Sequence, residues 1–263
     1  MSGDPDVTAG LLGQAVEALM DAADMAAAEM QIDRIAAAID MPRVAWSVDI
    51  SQPFINPHAD AFLRRQGWPD EVMELWWRRS VTTKMPFYIR CRFEHVPFIT
   101  DVRATPGRGG PAGLGPDPRR VREIVLALGH TALLTVPIHL PRGQVSMLTW
   151  AGARDPVDLA AMLGRTAGHL LGAGHYFMRA FNRTVGLRGV TAEELVRLSP
   201  RERDCLRLCA QGYGDAEIAT LAGIARTTVR YNIDNVVEKL GAVNRTHAVA
   251  LAAQLGLIGP VSA

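Results

Sequence analysis

From Ser199 onward, the chain alternates helix starts and glycine stops at short intervals, and this pattern strongly restricts how the segment can fold. The segment Ser199–Glu202 combines a serine N-cap, a proline at the first helical position and a glutamate three residues after the cap. Gly212 and Gly223 stand where helices must end, because glycine adopts the left-handed conformation without a steric penalty. The pattern predicts one helix that ends near Ala210, a second over 215–221 and a third over 226–240.

The predicted third helix has two different faces. Its apolar residues repeat at helical spacing and must face other helices, and they are Val229, Ile233, Val236, Val237 and Leu240. The opposite face carries Thr227, Arg230, Tyr231 and Asp234, and a helix of this width fits the major groove of B-DNA. The sequence therefore predicts a helix-turn-helix domain. A fourth predicted helix over 244–255 offers a surface for pairing with a second copy of the chain.

The length and composition of the chain predict two globular domains. The 263 residues exceed the usual size of one domain, and 48% hydrophobic with 21% charged residues is ordinary for a folded protein. The net charge of +1 excludes a uniformly basic coat, although a local basic cluster is enough for DNA. The acidic start MSGDPDVTAG and the lack of a long uncharged apolar run predict a cytoplasmic protein without a membrane span.

The first part of the chain has the pattern of helices, then strands, then a helix. Ala-rich helical spacing over 7–40 precedes a predicted strand over 44–51, and the predicted strands LLTVPIHL and VSMLTWAG flank a tight turn at 141–143. Further helices are predicted over 60–65, 70–79 and 155–181. The expected fold class is α+β, with an N-terminal α/β/α sandwich around a central antiparallel sheet over 1–185. A linker over 186–194 and a four-helix helix-turn-helix domain over 195–263 complete the prediction.

The C-terminal segment resembles the DNA-binding domain of LuxR-type regulators. The resemblance rests on Glu202, Gly212, Glu217-Ile218-Ala219, Thr228-Val229, Asn235, Lys239-Leu240-Gly241 and Asn244-Arg245. It implies that the third helix reads double-stranded DNA and that the fourth helix supports a homodimer. The DNA-binding residues that it implies, together with those of the outer face, are Thr227, Thr228, Arg230, Tyr231, Asp234, Asn235 and Lys239.

Three positions depart from the LuxR-type pattern. Ala225 stands where the family commonly has a serine that caps the recognition helix, and the loss of such a cap removes about 1 kcal/mol of helix stabilisation. Asn232 stands where histidine is frequent, which predicts altered DNA contacts there. Arg230 replaces a lysine that contacts DNA, and it keeps the charge. Away from this helix, Arg203, Arg207 and Arg245 are expected to be ordinary surface charges.

The first domain resembles the autoinducer-binding domain of the same family, whose members bind acyl-homoserine lactones between a sheet and its helices. The matching residues are Trp68-Pro69, Trp76, Met85-Pro86, Pro97-Phe98, Thr135-Val136-Pro137 and Pro141-Arg142-Gly143. The resemblance places a ligand pocket at Val72, Trp76, Met85, Thr100 and Leu133. Core packing is an open alternative for Trp76 and for the further candidates Trp46, Trp77, Tyr88 and Met147.

The pocket residues differ from those that the family uses for its signal. Met85 replaces the aspartate that accepts the amide N–H of the lactone, Val72 and Thr100 replace pocket tryptophans, and Leu133 replaces a glycine. A buried amide without its acceptor costs roughly 1 to 3 kcal/mol. The hypothesis is therefore an orphan regulator that has lost the ordinary acyl-homoserine lactone mode, and that binds another small apolar ligand or none.

Other functions remain open alternatives. A lactone-responsive regulator with an altered pocket is one, and an interaction protein that forms heterodimers with another regulator is a second. An enzyme is not expected, because His169 and His175 are six residues apart and no nucleophile–base order is present. Cys205 and Cys209 are expected to be small buried hydrophobes, and the odd number of three cysteines argues against disulfides. No catalytic residue, metal or cofactor is predicted.

Overall fold

The chain forms two compact units that divide near residues 187 and 188. The computed structural model describes residues 5–50, 55–82, 84–104, 116–185 and 198–258. The predicted linker over 186–194 lies outside the described residues. Within the described parts, no helix combines the length and hydropathy that a membrane span requires.

The first unit contains eight helices and four strands among its described residues. The helices are α1 (Pro5–Met20), α2 (Met25–Ala38), α3 (Pro57–Arg65), α4 (Asp70–Trp76), α5 (Arg79–Thr82), α6 (Pro86–Cys91), α7 (Pro116–Ala127) and α8 (Pro156–Thr184). The strands are β1 (Arg43–Ser47), β2 (Phe98–Asp101), β3 (Ala132–His139) and β4 (Val145–Gly152).

The four strands form one antiparallel sheet in the order β1-β4-β3-β2. β3 and β4 make the predicted hairpin around a 3-10 turn at Pro141–Gly143, where Gly143 has φ 72°. Glycine reaches this left-handed conformation without a steric penalty. The predicted antiparallel sheet and its hairpin are confirmed.

Helices cover both faces of the sheet, so the predicted α/β/α layering is confirmed. On one face, the indole of Trp46 packs edge-on against Phe177 and Phe181 of α8, with ring centroids 5.2 Å apart in each case. On the other face, Ala45, Met147 and Leu133 pack with side chains from α3, α4, α6 and α7 in one hydrophobic cluster. Alternation of side chains along each strand explains why neighbouring residues belong to different layers.

Helix α8 also holds the end of α1. The guanidinium groups of Arg179 and Arg183 donate hydrogen bonds to the backbone carbonyls of Met20 (2.6 Å) and Ala22 (2.7 Å). The last carbonyls of a helix have no partner within the helix, so these arginines satisfy groups that would otherwise need water. The contact ties the two ends of the first unit together.

The second unit contains the four predicted helices α9 (Pro200–Ala210), α10 (Asp215–Ala222), α11 (Arg226–Lys239) and α12 (Arg245–Gln254). Ser199 caps α9 as predicted, since its Oγ accepts the Glu202 N–H and the Glu202 carboxylate accepts the Ser199 N–H. Gly212 (φ 94°) and Gly223 (φ 63°) adopt the left-handed conformation at the two turns. The helix-turn-helix architecture and its local start and stop signals are confirmed.

Several boundaries in the first unit differ from the predictions. The strand predicted over 44–51 ends at Ser47, and the helix predicted over 60–65 begins at Pro57. The helix predicted over 70–79 is divided into α4 and α5, and at the break the Trp77 indole donates a hydrogen bond to Asp60 of α3 (2.9 Å). Helix α8 extends to Thr184, because its apolar stripe continues through Phe181 against the sheet.

Candidate functional site

Helix α11 separates an apolar inner face from a polar outer face. Val229, Ile233 and Val236 are buried against α9, α10 and α12. Asn235 is half-buried, and Tyr231 is 66% exposed. The predicted DNA-contacting side chains that lie fully on the exposed outer face are Thr227, Thr228, Arg230, Tyr231 and Asp234. The helix therefore presents hydroxyl, guanidinium, phenol and carboxylate groups to solvent on one surface.

Helix α11 begins without a side-chain cap. Ala225 occupies the N-cap with extended backbone (φ −67°, ψ 146°), and its methyl group cannot accept a hydrogen bond from the first turn. The predicted loss of the cap is confirmed. By contrast, α9 begins with the bonded cap Ser199 and α12 with Asn244, whose Oδ1 accepts the His247 N–H (2.9 Å).

Lys239 stands at the other end of α11 and is held by a buried carboxylate. Its Nζ donates to Oε1 (2.8 Å) and Oε2 (2.7 Å) of Glu202, whose side chain is 5% exposed. Burial opposes ionisation of Glu202, but the hydrogen bonds from Lys239 and Ser199 outweigh it and leave the pKa of the carboxyl below its usual value. Lys239 therefore anchors α11 to α9, and a DNA contact by Lys239 stays a prediction.

Asn232 does not belong to the outer face. It is 8% exposed, and its Nδ2 donates to the backbone carbonyl of Thr228 one turn earlier (2.7 Å). The helical period turns residue 232 towards the domain interior, and the expectation that the target sequence or the backbone contacts differ at this position stays a prediction.

Arg245 is not the ordinary surface charge that the sequence suggested. Its guanidinium donates to Asp215 Oδ1 (2.8 Å) and to Cys209 Sγ (3.1 and 3.3 Å), which joins α12 to α10 and α9. Cys205 is fully buried as predicted, whereas Cys209 is half-buried. These partners are 30 and 36 residues from Arg245, so no local pattern could have indicated them.

Four of the predicted pocket residues meet in the first unit. Val72, Trp76, Met85 and Leu133 are each at most 8% exposed and belong to one cluster beside the sheet. Thr100 is half-buried on the edge strand β2 and pairs with Leu133 in the register of the sheet. The structure therefore brings the predicted pocket residues to the same face of the sheet.

The further candidates are divided between the two faces. Tyr88 and Met147 belong to the same cluster as Met85, and Trp77 packs at its margin. Trp46 packs against α8 on the opposite face, so it cannot line a cavity in this cluster. The alternation of β1 explains the correction, because Ala45 and Ser47 rather than Trp46 point to the cluster side.

The cluster lacks the acid that the family uses. Met85 is the N-cap of α6 and is 5% exposed. Among the described residues of the first unit, no aspartate or glutamate is buried, and the buried polar side chains near the cluster are hydroxyls such as Ser47, Thr135 and Thr149. Burial also raises the pKa of the Cys91 thiol to about 12, so this group is neutral as well.

Three aromatic rings stand together at the end of α4 and the start of α6. The Trp76 and Tyr88 rings meet edge-to-face at 5.6 Å, and Phe87 lies 6.3 Å from Trp76 and 5.1 Å from Tyr88 between ring centroids. The Trp76 Nε1 and the Tyr88 hydroxyl are buried and make no hydrogen bond with any described residue. The sequence indicated both residues, but not that their polar atoms would be left without partners.

Comparison with protein families identifies both units. A family model described as the autoinducer binding domain matches residues 18–181. A second model, described as bacterial regulatory proteins of the luxR family, matches residues 196–252. The chain belongs to the LuxR family. It is thus a LuxR-type transcriptional regulator with an autoinducer-binding domain and a helix-turn-helix domain.

Curated LuxR-type relatives match parts of the chain. A putative HTH-type transcriptional regulator of Sinorhizobium fredii, y4qH, is 32% identical over 143 residues, which are 53% of this chain and 41% of that protein. VjbR of Brucella ovis, a quorum sensing-dependent HTH-type regulator, is 52% identical over 61 residues, 23% of this chain and 24% of that protein. The matches cover less than half of the length of these relatives.

Solved structures of LuxR-type proteins share the fold. Escherichia coli SdiA, whose complex with octanoyl-rac-glycerol is solved, is 16% identical with a TM-score of 0.54, over 95% of this chain and 96% of that chain. CepR2 of Burkholderia cenocepacia, an N-acylhomoserine lactone dependent factor, is 15% identical with a TM-score of 0.50, over 68% of this chain and 99% of that chain. At these identities the likeness establishes the common fold alone.

Proposed function

We propose that this LuxR-family protein regulates transcription by binding specific double-stranded DNA as a homodimer in the cytoplasm. The observation that carries the proposal is the outer face of α11, where Arg230 and its neighbours are exposed while Val229 and Ile233 hold the helix in place. An exposed helix with this mixture of donors and acceptors suits the major groove. No catalytic step and no metal or cofactor forms part of the proposal.

The dimer is supported by the surface of α12. Ala248 and Ala252 are buried towards the domain, whereas Thr246, Ala250 and Ala253 are exposed. Short side chains on the exposed face allow a second copy of the helix to approach closely. A pair of recognition helices would then read two half-sites one helical turn apart.

The DNA-binding proposal is tested by selecting genomic DNA fragments with the purified full-length protein. The Arg230→Ala variant should bind the selected site about 1 to 3 kcal/mol more weakly, because a bidentate contact to a base edge is lost. Arg203→Ala is the matched control, since Arg203 is exposed on α9 and the variant removes the same charge. Equal losses in both variants, or enrichment of no sites, would contradict the assignment of α11.

We further propose that the first unit does not bind acyl-homoserine lactones in the family's usual way. Met85 offers no acceptor for the amide N–H, and a buried amide without an acceptor costs roughly 1 to 3 kcal/mol. The complex of SdiA with octanoyl-rac-glycerol supports the idea that this fold accepts ligands other than lactones. The chain would then act as an orphan regulator with another apolar ligand or with none.

The ligand proposal is tested by repeating the DNA selection with a panel of acyl-homoserine lactones. Enrichment of the same sites with and without lactone is the expected result. Enrichment only with a lactone would instead establish a lactone-responsive regulator with altered contacts, the alternative that the lactone-dependent CepR2 favours. Sites enriched only when another regulator is added would establish the heterodimer.

A further inference from the structure

Two hydrogen-bond donors are buried together in the first unit without an acceptor. The Trp76 Nε1 and the Tyr88 hydroxyl are inaccessible to solvent, and no described residue lies within hydrogen-bonding geometry of either atom. Buried polar groups in folded proteins are almost always bonded, and each exception needs a reason. The two unpaired donors lie on neighbouring side chains, because the Trp76 and Tyr88 rings are in edge-to-face contact.

The surroundings of these donors are largely apolar. Val72, Met85 and Leu133 surround the same place with apolar side chains. Burial raises the pKa of the Tyr88 phenol, so it remains protonated, and a side-chain interaction with the nearby Ser47 hydroxyl lowers that pKa in part. The site therefore presents an O–H and an N–H and, among the described residues, no carboxylate to receive a donor in return.

The other tryptophans show that an unpaired indole is not sufficient to indicate a ligand. The Trp46 and Trp150 Nε1 atoms also lack partners among the described residues, but Trp46 is closed in by Phe177 and Phe181 of α8. On that face, a side chain at Gly174 would come within 3.0 Å of Ile138, so the packing leaves no room. By contrast, Trp68 and Trp77 are bonded, to the Val44 carbonyl and to Asp60.

The cluster around Trp76 and Tyr88 can adapt to a guest. Met73, Met85 and Met147 all belong to it. Methionine has three rotatable bonds and an adaptable shape, so movement of these side chains can open space beside the two donors at low energetic cost. On the α8 face, the Trp46 indole is instead held between two aromatic rings, those of Phe177 and Phe181.

We infer that Trp76 and Tyr88 form the polar end of a ligand site for a neutral apolar molecule whose polar group only accepts hydrogen bonds. An ester or ketone carbonyl, or a lactone without an amide, belongs to this class. The oxygen of the ligand accepts from the Trp76 indole and the Tyr88 phenol, and its hydrocarbon part packs against Val72 and Leu133. The inference rests on the proposed loss of the usual lactone mode and adds the class of ligand that replaces it.

The first test uses methyl octanoate and N-methyloctanamide, two probes that differ mainly in one oxygen against one N–H. The full-length protein contains five tryptophans, so isotope labelling of the indole nitrogens gives five N–H signals, which Trp→Phe variants assign. Methyl octanoate should shift the Trp76 signal downfield while the Trp46 and Trp150 signals stay in place. The amide should bind about tenfold more weakly, because no buried carboxylate among the described residues of this unit can accept its N–H.

Three results would overturn the inference. They are an unmoved Trp76 signal at the solubility limit of methyl octanoate, equal shifts of Trp46, Trp76 and Trp150, and an amide that binds as tightly as the ester. If the protein still selects the same DNA sites without a lactone, only the inference fails. If N-octanoyl homoserine lactone is required for DNA selection, the proposed function fails instead.

The second test asks whether the Tyr88 hydroxyl contacts a ligand or stabilises the fold. It compares the effect of Tyr88→Phe on the melting temperature with its effect on ligand affinity. Tyr88→Phe removes an unpaired hydroxyl and keeps the ring, so the free protein should melt about 2 to 4 °C higher. The same variant should bind methyl octanoate about tenfold more weakly, because one donor to the carbonyl is lost. Tyr176→Phe on α8 is the matched control and should change neither quantity. A Tyr88→Phe variant that melts lower, or that binds the ester unchanged, contradicts the site.

Discussion

The two units of the molecule differ in how completely their buried polar side chains are hydrogen-bonded. In the second unit, the buried Glu202 and Asn232 both have hydrogen-bond partners, and Arg245 is held by Asp215 and Cys209. In the first unit, the described residues include five buried side-chain nitrogen or oxygen atoms without a partner. The helix-turn-helix domain thus satisfies these buried polar side chains internally, whereas the autoinducer-binding domain leaves several, including the Trp76 Nε1 and the Tyr88 hydroxyl, without a partner among the described residues.

A buried polar group contributes to stability when it is bonded, and it is a candidate for ligand binding when it is unpaired. A buried group that is fully bonded is destabilising to remove, because its partner is left exposed to an apolar environment. A buried donor without a partner is already unfavourable, so its removal should be neutral or stabilising until a ligand is present. The sign of the stability change that a substitution causes therefore distinguishes the two kinds of buried group more sharply than the size of that change.

The largest effect is expected from Glu202→Gln. The variant weakens the bonds to Lys239 and Ser199, and because Lys239 is 41% exposed and can be rehydrated, we expect a loss of about 2 kcal/mol. All five tryptophans lie in the first unit, so far-UV circular dichroism should report the loss while tryptophan fluorescence is unchanged. Glu238→Gln, at an exposed position of α11, is the control and should stay within about 0.5 kcal/mol of the parent.

The same carboxylate makes the stability of the second unit depend on pH. The pKa of Glu202 is lower in the folded state than its ordinary value of about 4.3, so the folded state binds fewer protons than the unfolded state. Its contribution is complete above the ordinary value and is lost as the pH falls through the folded value. The difference between the parent and Glu202→Gln should shrink on acidification in urea unfolding followed by circular dichroism. A difference that grows in acid would contradict the assignment.

A smaller effect is expected from Arg245→Met. The methionine keeps most of the apolar stem but leaves Asp215 and Cys209 without the guanidinium, which should destabilise the second unit by about 1 kcal/mol. Arg203→Met is the comparison, because Arg203 is exposed on α9, and its unfolding curve should match that of the parent. Identical unfolding curves for both variants would show that Arg245 contributes no more to stability than an ordinary surface charge.

The smallest effect is expected from Ala225→Ser, and it is a gain. The serine hydroxyl can accept an N–H of the first turn of α11 from the extended backbone that Ala225 already has, so stability should rise by about 1 kcal/mol or less. Ala253→Ser on the exposed side of α12 should instead lower stability by about 0.5 kcal/mol, because serine is a poorer helix former. If the two serine variants shift unfolding in the same direction, the start of α11 is not limited by its missing cap.

The parts of the fold that local chemistry determines could be predicted from the sequence. The cap at Ser199, the turns at Gly212 and Gly223 and the buried stripe of α11 all depend on residues within a few positions of each other. The hairpin at 141–143 belongs to the same class, since a short turn fixes how β3 and β4 pair. The spacing of residues close in sequence therefore predicts most helices of the second unit and the β3–β4 hairpin.

The parts that long-range contacts determine could not be predicted. Glu202 meets Lys239 across 37 residues, and Trp77 meets Asp60 across 17, so neither partner is visible in a local window. Trp46 lies on the opposite face of the sheet from the candidate pocket. This could not be predicted, because a short apolar run does not show which residues of β1 face which side. The sequence could indicate Trp76 and Tyr88 as pocket residues, but their lack of partners emerges only when every neighbour is in place.

The hydrogen bonds from Arg179 and Arg183 to the end of α1 have a consequence for synthesis. They join residues that are 159 and 161 positions apart in the sequence. Because a ribosome adds roughly 5 to 20 residues per second, α1 is synthesised about 10 to 30 s before these arginines. During that time Leu12 and Leu19, which are fully buried in the finished unit, have no α8 to cover them. The nascent chain should therefore depend on chaperones that shield apolar helices until α8 has emerged from the ribosome.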